Sequence, residues 1–250
     1  MIKNKISTWF ENWFDSPYYH ILYKHRNIAE AELFIDKLVD FLNPPIHASF
    51  LDLACGKGRH SIYLNKKGFN VVGMDLSPEN ISNAKLEEKS NLKFYVEDMR
   101  LFAVKNKFDF VINLFTSFGY FDSEKDDYAT INCVSKALNT NGLFVIDFMN
   151  AHKVIENLVL HEVKIIDGIE FEITKKIENN FIVKRIQFFD QGKKYNFEER
   201  VKAITLFDFK KYLEVNKLKI LYLFGNYNLE EFQISTSNRL IIIAQATKLD

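Results

Sequence analysis

In the segment Leu51-Asp52-Leu53-Ala54-Cys55-Gly56-Lys57-Gly58-Arg59-His60, two glycines one residue apart follow a short apolar run. Glycine removes the Cβ where the backbone must bend sharply, and it lets a ligand approach the main chain. Asp75 closes a second apolar run seventeen positions beyond Gly58, and Glu97-Asp98 closes a third. In such a unit an acid at the end of the second strand accepts hydrogen bonds from ribose hydroxyls. The combination points to a bound nucleoside. Dinucleotide sites usually carry a third glycine where a pyrophosphate meets the helix N-terminus. Here that position is Ser61, which weighs against a dehydrogenase.

Positioning these groups requires short buried strands separated by crossover helices. From Ser49 to Asp147 the chain supplies five apolar runs: Phe50 to Leu53, Asn70 to Asp75, Leu92 to Val96, Phe108 to Asn113 and Gly142 to Asp147. A helix is expected from Ser61 to Lys67, and another from Asn27 to Phe41, stopped by Asn43-Pro44-Pro45. After Asn150 the texture changes to strands without intervening helices. Val163 to Ile166, Glu170 to Ile177, Phe181 to Phe189 and Tyr195 to Ala203 are separated by Asp167-Gly168, Asn179-Asn180 and Gln191-Gly192, which punctuate hairpins. A helix from Leu206 to Asn216 and strands Leu218 to Phe224 and Arg239 to Ala246 complete the pattern.

The segments LDLACGKGRHS, VVGMDLSPENISNAK, EDMR, FDFVINLFTSFGYF and LNTNGLFVIDFMN resemble the successive motifs of class I S-adenosylmethionine-dependent methyltransferases, in particular a small-molecule-type bacterial subgroup. The resemblance implies an α/β fold: a doubly wound, seven-stranded, mostly parallel sheet with an antiparallel last strand, an antiparallel β insertion after the fifth strand and an N-terminal helical lid. The corresponding segments are 1–47 for the lid, 48–150 for the cofactor-binding Rossmann-like core, 151–204 for the insertion and 205–250 for the completion of the core sheet. It also implies S-adenosylmethionine as cofactor. Asp52, Ala54, Cys55, Gly56 and Gly58 would line its methionine portion. Asp75 with Leu76 would hold the ribose, Asp98 and Met99 the adenine, and Leu114 and Phe115 would lie beside the methionine moiety or the adenine.

Methyl transfer from a sulfonium releases a neutral leaving group, so positioning is the main burden, worth roughly 7 kcal/mol or more. A general base is needed only for a nucleophile that arrives protonated. The loop Thr116-Ser117-Phe118-Gly119-Tyr120-Phe121 follows the fourth strand and is expected either to wall the acceptor or to pack as an aromatic cap. Ser117, Phe118 and Tyr120 are its candidate acceptor contacts, with the Tyr120 hydroxyl in a positioning role. Tyr18, Tyr19 and Tyr23 could fold over the cofactor, with Arg26 near its carboxylate, or pack a helix on the sheet. Asn150 could contact substrate or cap a turn. Arg200 and Arg239 read as salt-bridged surface groups, or as ligands of an anionic substrate should the insertion roof the pocket. His60 reads as a packed helix residue more than a catalyst, and Lys66-Lys67, Lys175-Lys176 and Lys210-Lys211 as solvated faces.

Composition narrows the function. The chain has 250 residues, 47% of them hydrophobic, with 33 basic against 33 acidic side chains, so no overall field favours nucleic acid. Asn113-Leu114-Phe115-Thr116 lacks the Pro-Pro-aromatic step expected for methylating base amino groups. Cys55 and Cys133 form neither a metal spacing nor a disulfide framework, and no run resembles a signal peptide or membrane span. The expectation is a cytoplasmic enzyme acting on a small-molecule methyl acceptor, with no metal, nucleic acid or membrane partner. Exposed edges of the insertion could pair across a homodimer. A non-catalytic S-adenosylmethionine-binding regulator and an RNA or protein methyltransferase are the alternatives.

Overall fold

A computed structural model describes residues 13–14, 16–24 and 28–247. Helix α1 (Pro17–Leu22) starts where Ser16 Oγ accepts from the Tyr18 amide, with proline in the first turn. Helix α2 (Ile28–Leu42) ends before the proline pair, one residue from the expected limit.

The β-rich runs become β1 (Ser49–Leu53), β2 (Asn70–Asp75), β3 (Leu92–Val96), β4 (Phe108–Asn113) and β5 (Leu138–Met149), each parallel to its neighbours within this set. Strand β5 begins four residues before the expected Gly142. Between the strands lie α3 (Arg59–Lys66), α4 (Pro78–Ala84) and α5 (Glu124–Ala137). Beyond the insertion, α7 (Leu206–Val215) opens on a Thr205–Asp208 capping box and leads to β10 (Leu218–Phe224) and β11 (Arg239–Ala246). The seven-stranded sheet runs β10-β11-β5-β4-β1-β2-β3, with β11 antiparallel to both neighbours.

Successive side chains of a strand face opposite layers, so one strand feeds two cores. Phe50 of β1 packs under α2 and α3 with Phe110 and Val71, whereas Leu51 and Leu53 join Val111, Ile146 and Phe209 on the other face. From β1 the chain winds to β2 and β3, then crosses to β4 on the far side. The carboxyl ends of β1 and β4 therefore flank the crevice where open α/β sheets bind ligands.

After β5, a short helix α6 (Ala151–Glu156) precedes the insertion, a correction to the expected run of strands alone. The insertion is a separate antiparallel sheet of β6 (His161–Ile166), β7 (Ile169–Glu178), β8 (Phe181–Asp190) and β9 (Lys193–Lys202), paired in chain order. Its hairpins turn at Asp167-Gly168, Asn179-Asn180 and Gln191-Gly192, where both residues of each pair have φ between 48° and 79°. That is the left-handed backbone two-residue hairpins require. One face packs Phe171, Ile173, Ile186 and Phe188 against Trp13 and Leu22, which docks α1 on the insertion. Among the described residues, no helix is long and apolar enough to cross a membrane.

Candidate active site

At the carboxyl end of β1 the backbone turns through three left-handed residues, Ala54, Gly56 and Gly58, with φ of 58°, 56° and 83°. The two glycines serve different ends. A Cβ on Gly58 would sit 2.7 Å from the Phe94 ring, so this glycine lets α3 start tight against β3. A Cβ on Gly56 would meet nothing within 4 Å, because its α-carbon faces open space. Asp75, at the end of β2, accepts from the Gly56 amide through Oδ2 at 2.8 Å and from the Ser77 amide through Oδ1 at 2.9 Å. A carboxylate has about four lone-pair sites, so it accepts from more than two donors at once.

Asp52 lies beneath the loop, fully buried, and accepts from Ser61 Oγ at 2.6 Å. Burial, opposed by the Ser61 bond and reinforced by the charge of Asp75, pushes its pKa up to about 7. Desolvation and the neighbouring Arg59 hold His60 down to about 3, a neutral imidazole stacked on Phe115 at 5.1 Å. Its Nε2 is buried and has no hydrogen-bond partner. Burial raises the Cys55 thiol well above its usual value, so Cys55 serves as a packed loop residue rather than a thiolate. Asp98 is clasped by Arg100, whose Nη2 lies 2.6 Å from Oδ2.

The loop after β4 carries two consecutive non-glycine residues in the left-handed region, Phe115 (φ 59°) and Thr116 (φ 60°). Such residues cost on the order of 1–3 kcal/mol each and persist only when their surroundings fix them. Asp147, fully buried at the end of β5, does the fixing: Oδ2 accepts the Phe115 amide at 2.8 Å and its backbone carbonyl accepts the Thr116 amide at 3.0 Å. Arg239 of β11 pairs with Asp147 at 2.7 Å and donates to Thr116 Oγ1 at 2.9 Å. Arg239 is thus an internal strut, not a surface group.

These elements enclose a cavity of about 1030 Å³. Its floor holds Ala54, Cys55, Gly56, Asp75, Leu76 and Asp98, continued by Met99, Leu114 and Phe115. Its roof comes from α1 and the insertion. The Tyr23 hydroxyl donates to Glu199 at 2.7 Å, Trp13 Nε1 donates to the same carboxylate at 2.6 Å, and Lys184 Nζ donates to the Tyr23 oxygen at 2.5 Å. Ser117 and Tyr120 also face the cavity; the Tyr120 hydroxyl donates to the Thr116 carbonyl, bracing the loop.

Several expected contacts lie elsewhere. Asp52 and Gly58 support the loop from behind. Phe118 is buried against Phe209, on the sheet's other face. Asn150 is buried and spends its amide on the Ile234 and Ser237 carbonyls. Arg200 pairs with Asp122 at 3.6 Å and covers the Phe181 ring, away from the cavity. Tyr18 donates to Asp190 of the insertion, and only Tyr19 and Tyr23 of the trio reach the cavity. Arg26 lies outside the described residues. Sequence reasoning missed the cavity-lining Lys153, Lys164, Lys184 and Glu199, and Lys175, read as solvated, lines it as well.

A methyltransferase-domain family profile matches residues 47–200, spanning β1 to most of β9. The chain belongs to the class I S-adenosylmethionine-dependent methyltransferases. This methyltransferase is 35% identical over 115 residues to YqeM of Bacillus subtilis strain 168, which carries a provisional methyltransferase name; the match covers 45% of this chain and 47% of that protein. It is 28% identical over 103 residues to the dTDP-3-amino-3,4,6-trideoxy-alpha-D-glucopyranose N,N-dimethyltransferase of Streptomyces venezuelae, covering 41% and 43% of the two chains. The chain therefore spans about half the length of the curated relatives it matches. Its fold is similar to a crystal structure of an S-adenosylmethionine-dependent methyltransferase from Clostridium acetobutylicum ATCC 824, with a TM-score of 0.80, 23% identity, and coverage of 95% of this chain and 99% of that one.

Proposed function

We propose that this methyltransferase transfers the methyl group of S-adenosylmethionine to a small-molecule acceptor held between the β1–β4 crevice and the roof of α1 and the insertion. The observation that carries the reading is the continuous cavity running from Gly56 and Asp75 to Tyr23, Lys184 and Glu199. Its volume, about 1030 Å³, is at the upper end of small-molecule sites and leaves room for two ligands.

The residues present fit the cofactor. Open space over Gly56 lets a ligand lie on the backbone, and Asp75 is oriented by the Gly56 and Ser77 amides at the end of β2. The buried Nε2 of His60 lacks a partner beside the same loop. Gly56 and its neighbours would hold the methionine portion, Asp75 the ribose, and Asp98 with Met99 the adenine. When bound, S-adenosylmethionine supplies an electrophilic methyl on a sulfonium. The chain's own residues then orient and exclude water. The Asp147–Arg239 strut fixes Phe115 and Thr116 at the rim, Tyr19 and Tyr23 cover the cavity, and Ser117 and Tyr120 wall the acceptor side. Because Phe118 points away, the aromatic seal that would mark a purely regulatory binder is incomplete, which favours catalysis.

An acceptor of small-molecule size is supported by the roof, which covers the cavity with α1 and the insertion, and by the Streptomyces venezuelae relative, named for an amino sugar acceptor. The test is calorimetric titration of the purified chain with S-adenosylhomocysteine, followed by a screen of metabolite pools for its release from S-adenosylmethionine. Saturable binding with turnover on a low-molecular-weight fraction is expected; binding without turnover on any pool overturns the enzymatic reading, and turnover only on RNA or protein overturns the acceptor class.

A further inference from the structure

The cavity wall opposite the glycine loop is built by α6 and the first three insertion strands, and its charges do not balance. Lys153 of α6, Lys164 of β6, Lys175 of β7 and Lys184 of β8 all line it, against two carboxylates, Glu162 and Glu199. The chain as a whole has equal numbers of acidic and basic side chains, so the excess is local.

The surplus positive charge comes from Lys153 and from the two lysines that share Glu162. Lys153 Nζ donates to the Thr236 carbonyl at 2.5 Å and to Asn238 Oδ1 at 2.8 Å, two neutral oxygens that fix the ammonium without cancelling its charge. Glu162 is shared between Lys175 at 2.7 Å and Lys164 at 3.4 Å, one negative charge for two positive. Lys175 and Lys184 stand directly opposite each other in the β7–β8 ladder, a like-charge pairing that destabilises a sheet. Glu199, opposite Lys184 on the next strand, pairs with it at 3.5 Å and is shared with Trp13 and Tyr23. Lys175 and Lys184 each meet a carboxylate, Glu162 at 2.7 Å and Glu199 at 3.5 Å, so the charge left for an anion is that of Lys153 and of the second lysine on Glu162.

The wall is distinct from the cofactor cradle. Strand β5, which leads into α6, lies two strands from β1, about 10 Å across the sheet. The carboxylates near the cradle, Asp75, Glu97 and Asp98, sit at the ends of β2 and β3, on the other side of β1. At the cradle, Lys57 and Arg59 partly offset those three carboxylates, whereas at the α6–insertion wall positive charge exceeds negative, and a local field of that sign favours an anion there.

We infer that the α6–insertion wall binds an anionic group, a phosphate or a carboxylate, carried by the methyl acceptor. Lysine suits such a wall because its ammonium is a compact charge with three rotatable donors, able to follow either oxyanion geometry. The aromatic surfaces of Tyr19, Tyr23 and Tyr120 on the adjoining walls would receive the acceptor's body. The inference rests on the small-molecule methyltransferase reading for the word acceptor, and its test separates the two.

The experiment titrates the full chain, preloaded with S-adenosylhomocysteine, with phenyl phosphate, benzoate and phenol. At least one of the two anions should bind about tenfold or more tightly than phenol, weakening as salt is raised, and which anion wins identifies the source of the charge. Lys153→Met with Lys175→Met should bring that anion to the level of phenol while S-adenosylhomocysteine affinity stays within about twofold. Lys153→Arg with Lys175→Arg should keep the preference. Equal affinity for all three probes, or a preference that survives the methionine variant, overturns the inference. Failure of the wild-type chain to take up S-adenosylhomocysteine would instead strike the methyltransferase reading. Should the double methionine variant lose the fold, Lys153→Gln alone, at a half-buried position on α6, must still weaken anion binding or the inference falls.

Discussion

The Gly56 amide donates to Asp75 Oδ2 at 2.8 Å, joining the β1 turn to the end of β2 across nineteen residues of chain. This bond makes one carboxylate do two jobs. It fixes the loop conformation, and it holds the carboxylate in a set direction at the cavity floor.

Asp75→Ala should weaken S-adenosylmethionine binding by about 1 to 3 kcal/mol, because the ribose loses a charged acceptor and the loop loses a strut. Calorimetry measures it; an unchanged dissociation constant would sink the ribose assignment.

Gly56→Val should abolish cofactor binding, since the side chain would occupy the open space over the loop. A β-branched residue at φ 56° also costs roughly 1–2 kcal/mol of stability. The expected result is a flat titration with a folded circular-dichroism spectrum and a melting temperature lowered by a few degrees.

Arg239→Met should destabilise the fold by about 3–5 kcal/mol, because Asp147 would be left buried and unpaired under Phe115. Urea unfolding reads the loss. Asp147→Asn added to Arg239→Met should recover part of it, and a double variant as unstable as the single one would show that Arg239 acts through packing alone.

Two buried groups should tilt the pH dependence of stability in opposite directions. His60, held near 3, stays neutral in the fold while the unfolded chain takes up a proton below about 6.5, so stability falls as pH drops. Asp52, raised to about 7, keeps its proton in the fold while the unfolded chain ionises above about 3.9, so stability falls as pH rises through that interval. Between pH of about 4 and 6.5 the two slopes oppose. Relative to the parent, Asp52→Asn should therefore add a gain of about 1.4 kcal/mol per pH unit, and His60→Gln a comparable loss. Urea midpoints at several pH values check it, and parallel profiles for all three proteins would refute both assignments.

The elements that position the cofactor loop were legible because parallel buried strands are apolar runs with sharp ends. Strands β2, β3, β4, β10 and β11 lie where the residues alone put them. The three insertion hairpins were legible from their turn pairs for the same local reason. What escaped was set by distant packing. Alternation along β7 says that adjacent residues face opposite ways, yet it cannot say which face α1 and α6 cover. Phe115 and Thr116 give no local sign of a left-handed backbone, because Asp147 and Arg239, far along the chain, impose it. Asn150 and Phe118 follow strands β5 and β4 and Arg200 lies in β9 of the insertion, where side-chain direction, set by packing, turns all three from the cavity lining. Helix α6, six residues long, is too short for its periodicity to stand out.

The clasp of Tyr23 on Glu199 spans 176 residues. During synthesis the N-terminal segment leaves the ribosome first, yet the carboxylate that anchors it is made only after most of the core. Tyr23 can therefore reach its carboxylate only once β9 has been made, after the strands β1 and β2 that carry the Gly56 turn and Asp75. The order of translation thus puts the anchor of the cavity's cover later than the strands that form its floor.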